Sequence, residues 1–148
     1  MRSASPTRPT CPLSTPLTSA KKDFTAAVSV TGLSLRVVAD ITKVDLEPYA
    51  YDVWHDRAVF HFLTSPSDRL AYVRQVTRAV KPRGNVIVST FGPEGPTKCS
   101  GLEVVRYDAE SLHQEFGVHF RLLDSCKEMH RTPFGTVQQF LYCLCRIE

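Results

Sequence analysis

Apolar residues in this chain come in short β-branched runs interleaved with two stretches of helical periodicity. Residues 35–39 (LRVVA) form one such run, closed by Asp40, and 51–55 (YDVWH) form a second after the turn-like LEPYA. Both predict buried strands. Ser65-Pro66-Ser67-Asp68 then opens a helix: Ser65 as N-cap, Pro66 at the first helical position, Asp68 near the positive end of the dipole. Leu70, Val73, Val76 or Thr77, and Val80 recur at helical spacing, with Arg69, Arg74 and Arg78 outside. Pro82 stops this helix, and Gly84 is expected to take a left-handed conformation that swings the chain into a third strand over 85–90.

Strand, helix and strand with short connections make a βαβ unit, which favours a parallel sheet covered by helices. Residues 92–101 (GPEGPTKCSG) are too rich in Gly and Pro for regular structure. A further helix is expected from its N-cap Asp108 through Phe116, ended by Gly117. The stretches 120–129 and 138–146, joined by a turn at Arg131-Thr132-Pro133-Phe134-Gly135, predict an antiparallel pair that closes the sheet. No internal repeat or heptad interrupts this α/β order.

The first twenty residues differ in kind. They hold eight Ser or Thr, four Pro and no acidic group, a composition unable to bury enough apolar area to offset chain entropy. The organisation expected is a disordered arm over 1–30 and one domain over 31–148. The Ser-rich, acid-free bias overlaps with organelle transit peptides, but four prolines argue against an amphipathic targeting helix, and a cytoplasmic protein is the simpler reading.

Charge sharpens that division. The net charge of +3 belongs to the arm, where Arg2, Arg8, Lys21 and Lys22 face only Asp23; the remainder is balanced. A balanced body has no field that tracks phosphates, which weighs against a nucleic-acid partner. No run of about 18 apolar residues predicts a membrane span. The five cysteines, Cys11, Cys99, Cys126, Cys143 and Cys145, are odd in number and lack CxxC spacing, which points to reduced thiols. Cys143 and Cys145 share one face of a strand and are expected as core thiols, being too few to ligate zinc.

Residues 51–63 (YDVWHDRAVFHFL) carry the candidate chemistry, with two His, two Asp and one Arg among aromatic and aliphatic residues. A metal cluster, an acid/base centre, and a buried strand emerging at a pocket rim all fit such a stretch. A metal on His55 and His61 lacks a third ligand at recognisable spacing. Asp56 with Arg57 is alternatively a structural ion pair, and His61 between Phe60 and Phe62 is alternatively a packing residue.

Taken in order, VVADIT (Val37 to Thr42), YDVWHDRAVFHFL, VKPRG before NVIVSTF, and the final antiparallel pair resemble the C-terminal two-thirds of the class I S-adenosylmethionine-dependent methyltransferases of small bacterial type. The resemblance implies an incomplete Rossmann-like fold: parallel strands with helical crossovers and a C-terminal antiparallel pair. It implies S-adenosyl-L-methionine as cofactor, with Ala39, Asp40 and Ile41 near the adenine and His55, Asp56 and Arg57 near the methionyl end. In an open α/β sheet the ligand lies beyond the carboxyl ends of the strands. Tyr51 and Val53 are accordingly expected inside the sheet, with His55, Asp56 and Arg57 emerging at the pocket. His55 or His61 would take a proton from the methyl acceptor, a small molecule that the loop 92–106 helps to cover.

One part of the family pattern is missing. Its glycine-rich cofactor turn has no counterpart, since Gly32 is the only glycine before Gly84 and no GxG occurs. The expectation is a truncated methyltransferase, weakly active or inactive alone. The alternative is a non-catalytic remnant that serves as an interaction or oligomerisation module. Either way, exposed sheet edges offer a route to self-association.

Overall fold

The computed structural model describes residues 25–30 and 33–148, with side chains from Val37 onward. Of the disordered arm expected over 1–30, residues 1–24 lie outside the described residues, and 25–30 form a strand instead. In chain order the strands are β1 (Thr25–Val30), β2 (Leu33–Val38), β3 (Tyr51–Arg57), β4 (Val80–Phe91), β5 (Lys98–Cys99), β6 (Leu102–Glu103), β7 (Phe120–Arg131) and β8 (Val137–Ile147). Helix α1 (Pro66–Ala79) joins β3 to β4, and α2 (Ala109–Phe116) precedes β7.

The principal sheet has the order β3-β4-β8-β7, with β3 parallel to β4 and the other neighbours antiparallel. The expected βαβ unit and closing antiparallel pair are both present. Three parallel strands are not. The predicted strand at 35–39 overlaps β2, which runs from Leu33 and ends at Val38, but β2 pairs antiparallel with β1 in a separate hairpin. Among the described residues no strand lies on the outer edge of β3. The partner of β2, β1, is the six-residue strand just before it in the chain, a pairing with a low loop-closure cost.

One face of α1 seals the sheet. Tyr72, Val73, Val76 and Ala79 are buried, whereas Leu70, expected in the core, is 52% exposed. Periodicity alone admits either face; Tyr72 decides it, because its ring packs on Phe60 and Phe116 and its hydroxyl finds partners on β3. Ser65 sits at the N-cap, yet its hydroxyl bonds Ser67 at 2.6 Å and caps no helix N–H. Arg69, expected outside, donates to the carbonyls of Leu63 and Thr64 and forms an ion pair with Glu115 on α2 at 2.8 Å.

Helix α2 has the expected ends. The Asp108 carboxylate accepts from Ser111 N–H at 2.8 Å, Ser111 Oγ accepts from Asp108 N–H at 3.1 Å, and Gly117 closes the helix at φ 81°. Both helices cover the same sheet face, where Val86 and Val88 of β4 meet Leu141, Cys143, Cys145 and Ile147 of β8. Burial pushes the thiols of Cys143 and Cys145 up to about 12 and about 11, so they behave as core groups. Cys99 is also a free thiol, but Cys126 is disulfide-bonded, so the reading of every cysteine as reduced fails there. Phe91, Phe140 and Tyr142 form a smaller cluster on the opposite face. Among the described residues no helix is long and apolar enough to cross a membrane.

The turn from α1 into β4 departs from expectation in an informative way. Val80 already pairs with Tyr51, and the register shifts before Val53 meets Asn85. Within that irregularity the left-handed residue is Arg83, at φ 65°, while Gly84 is needed for room. A Cβ on Gly84 would lie 2.5 Å from Val80 Cγ1, 2.8 Å from the Lys81 carbonyl and 3.0 Å from the Asp52 carbonyl. Two of those neighbours are backbone and cannot rotate away. Gly84→Ala should therefore destabilise the fold by about 1 to 3 kcal/mol in urea unfolding; an unchanged midpoint would show that the turn relaxes freely.

Candidate functional site

Successive side chains of β3 point to opposite faces of the sheet. Trp54 and Asp56 face α1; Val53, His55 and Arg57 face the other way. The expectation that Asp56 emerges at a pocket is not met, since it is 5% exposed, and Val53, expected inside, is 51% exposed. A carboxylate cannot be buried cheaply without donors. Asp56 has three: Tyr72 hydroxyl at 2.6 Å and Phe60 N–H at 3.0 Å on Oδ2, and Val59 N–H at 2.9 Å on Oδ1. Tyr72 hydroxyl in turn accepts from Trp54 Nε1 at 2.8 Å. No ion pair with Arg57 forms, because the alternation of the strand turns that guanidinium to the other face, 5.8 Å above the Phe140 ring.

Ala58 makes the arrangement possible. At φ 65° it reverses the chain, so that the next two N–H groups point back at Asp56, and its own N–H donates to the Ser89 carbonyl at 2.8 Å. The 3-10 turn Phe60–Phe62 follows. Its His61 is fully buried, with Nδ1 accepting from Phe91 N–H at 3.2 Å and the carbonyl accepting from Val105 N–H at 2.8 Å. With Nδ1 accepting, Nε2 carries the proton, and that buried atom has no hydrogen-bond partner. The turn thereby clamps the end of β4 to the loop beyond it.

His55 and His61, the two candidate proton acceptors, are not brought together. His55 lies exposed on β3, its pKa lowered by partial burial and by Arg57, while His61 is interior. Ile41 is 7% exposed and packs in the main core, and Ala39 is partly buried. Asp40 is exposed but engaged. Its Oδ1 accepts from Thr42 hydroxyl at 2.7 Å and Thr42 N–H at 2.9 Å, and Oδ2 meets Lys43 at 3.1 Å, which together hold its pKa below the usual carboxylate range.

The loop after β4 is more ordered than its Gly and Pro content suggests. Gln139 exchanges hydrogen bonds with Glu94, accepting from its N–H at 3.1 Å and donating to its carboxylate at 3.0 Å. Arg106 donates to the carbonyls of Pro93 and Gly95 at 2.9 and 3.2 Å. Sequence reasoning missed Tyr72, Gln139 and Arg106. For Gln139 the available signal was a polar pair, Gln138-Gln139, opening an otherwise apolar strand.

No protein-family profile and no curated protein matches the chain. Solved structures do. A SAM-dependent methyltransferase from Methanosarcina mazei superposes with a TM-score of 0.59 at 11% identity, covering 75% of this chain and 66% of that one. The fold is that of the class I SAM-dependent methyltransferases. A second methyltransferase-fold neighbour, the 1,6-didemethyltoxoflavin-N1-methyltransferase of Burkholderia thailandensis, was solved with bound 1,6-didemethyltoxoflavin and S-adenosylhomocysteine; its TM-score is 0.58 at 19% identity, over 72% of this chain and 48% of that one. The [4+2]-cyclase SpnF matches at a TM-score of 0.54 and 16% identity, over 75% and 54% of the two chains. The chain thus spans two-thirds or less of each neighbour's length, and the methyltransferase fold hosts more than one chemistry.

Two buried groups of this methyltransferase fold have opposed proton linkage. Burial, outweighing its three hydrogen bonds, raises Asp56 to about 6, and burial lowers His61 to about 4. Asp56 contributes stability that is complete below about pH 4 and lost as pH rises through 6; the neutral His61 contributes stability present above pH 6.5 and lost as pH falls through 4. Each is worth about 3 kcal/mol at the extremes, so between pH 4 and 6.5 they offset. His61→Gln should expose the Asp56 contribution: on going from pH 6.5 to 4 its urea midpoint should gain, relative to wild type, the equivalent of about 3 kcal/mol. Identical pH profiles for the two proteins would refute the assignment.

Proposed function

We propose that this chain supplies one wall of an S-adenosylmethionine-dependent methyltransferase acting on a small-molecule acceptor in the cytoplasm. The observation that carries the reading is the methyltransferase fold combined with a strand exit, Asp56 to His61, locked into place at the sheet's carboxyl edge. In that reading Asp56 and His61 are positioning residues. Asp40, flanked by Ala39 and Ile41, would meet the adenine, and His55 and Arg57 would face the methionyl end and the acceptor. When bound, the cofactor supplies a methyl group already activated by its sulfonium charge, leaving the protein chiefly to align the nucleophile.

The described residues fit only part of that cofactor. No GxG occurs to let backbone approach it closely, and among the described residues no strand borders β3 where such a turn would stand. The free edge of β3 favours self-association until another strand covers it.

The 148-residue chain should consequently bind S-adenosylmethionine more weakly than millimolar in calorimetry, since each missing hydrogen bond forfeits roughly 1 to 3 kcal/mol. Saturable micromolar binding by a monomer would overturn the one-wall reading. In a longer chain carrying a glycine-rich strand and turn ahead of residue 35, micromolar binding should appear. Asp40→Ala should weaken it about tenfold, whereas equal affinities would leave Asp40 with its turn alone.

A further inference from the structure

At the end of the sheet opposite this candidate site, a solvent-open depression of about 280 Å³ is lined by Arg83, Arg121, Arg146, Ile147 and Glu148. Three of its five lining residues are arginines, charged at any physiological pH. Arg121 and Arg146 stand directly opposite each other across β7 and β8, a like-charge pairing that disfavours the sheet. Arg83 occupies the left-handed region at φ 65°, where a residue with a side chain is strained. Compensation within the fold is thin. The Glu148 carboxylate is 3.8 Å from Arg121, and Arg146 reaches the Asn85 amide oxygen only at 3.4 and 3.5 Å. Because the charge of residues 35–148 is balanced, this concentration is local to the depression and not a reflection of overall composition.

We infer that the depression is a binding site for a small anion bearing two or three phosphate groups. Arginine forks match phosphate oxygens in paired, charge-assisted hydrogen bonds, and an anion between Arg121 and Arg146 turns their mutual repulsion into shared attraction. A space of about 280 Å³ has room for more than one phosphate group, so each of the three arginines can meet a different one. The site is independent of methyl transfer, lying at the amino end of β4 while the strand exits gather at the other end.

The test is calorimetric titration of the whole chain with inorganic tripolyphosphate at low salt, alongside orthophosphate. Expected are one saturable site per chain, orthophosphate at least tenfold weaker, and at least tenfold weaker tripolyphosphate binding for both Arg121→Gln and Arg146→Gln. Arg121→Gln should melt no lower than wild type, since it relieves the like-charge pair, whereas a purely structural arginine would lower the melting point. A readout that needs no variant is protection from phenylglyoxal: tripolyphosphate should shield Arg83, Arg121 and Arg146 and leave Arg74 reactive. Absent saturation, undiminished binding by the variants, or protection that bypasses these three would each overturn the inference.

Discussion

The carboxylate of Asp56 is the group around which the carboxyl edge of this sheet is arranged. Enclosed and 5% exposed, it would be prohibitively costly without partners, and the chain can supply them only by one route. Ala58 must turn left-handed so that Val59 and Phe60 present their N–H groups, and α1 must roll Tyr72 inward so that its hydroxyl reaches Oδ2. Leu70 is left facing solvent as a consequence. The 3-10 turn so positioned places His61 against Phe91, and His61 in turn holds Val105, so one buried charge propagates order from β3 to the loop beyond β4.

That constraint separates two populations of polar groups that look alike in one dimension. Asp56, Tyr72, Trp54 and His61 are interior and organise the turn; Asp40 and His55 face solvent, where a ligand can reach them. A carboxylate with three donors and an imidazole whose protonation burial opposes suit rigidity better than turnover, because neither faces solvent, where a substrate could exchange a proton with it. The presence of a cyclase among the neighbours of a methyltransferase fold shows why these surface groups, and not the architecture, have to carry any argument about chemistry. The arginine-lined depression at the far end is likewise a matter of local groups, built where the scaffold sacrifices some strand pairing energy.

Local chemistry in the sequence was sufficient for much of the architecture. The Asp108 cap and Gly117 stop of α2, Pro66 at the start of α1, the alternation that buries Cys143 with Cys145, and the hairpin at residues 132–136 all depend on neighbours within a few positions. Such preferences act before the chain is folded, and they survived into the structure. What required the tertiary structure were choices between options that locality leaves equal. Helical periodicity allowed α1 to bury Leu70 or Tyr72, and a partner 16 residues away on β3 decided it. Apolar β-propensity made 33–38 a strand but could not name its partner, which the structure shows to be β1, a pairing with a low loop-closure cost. Asp56 and His61 carry the side chains of acid/base catalysts, yet burial converts both into supports, since desolvation is a property of the packed surroundings and not of the residue.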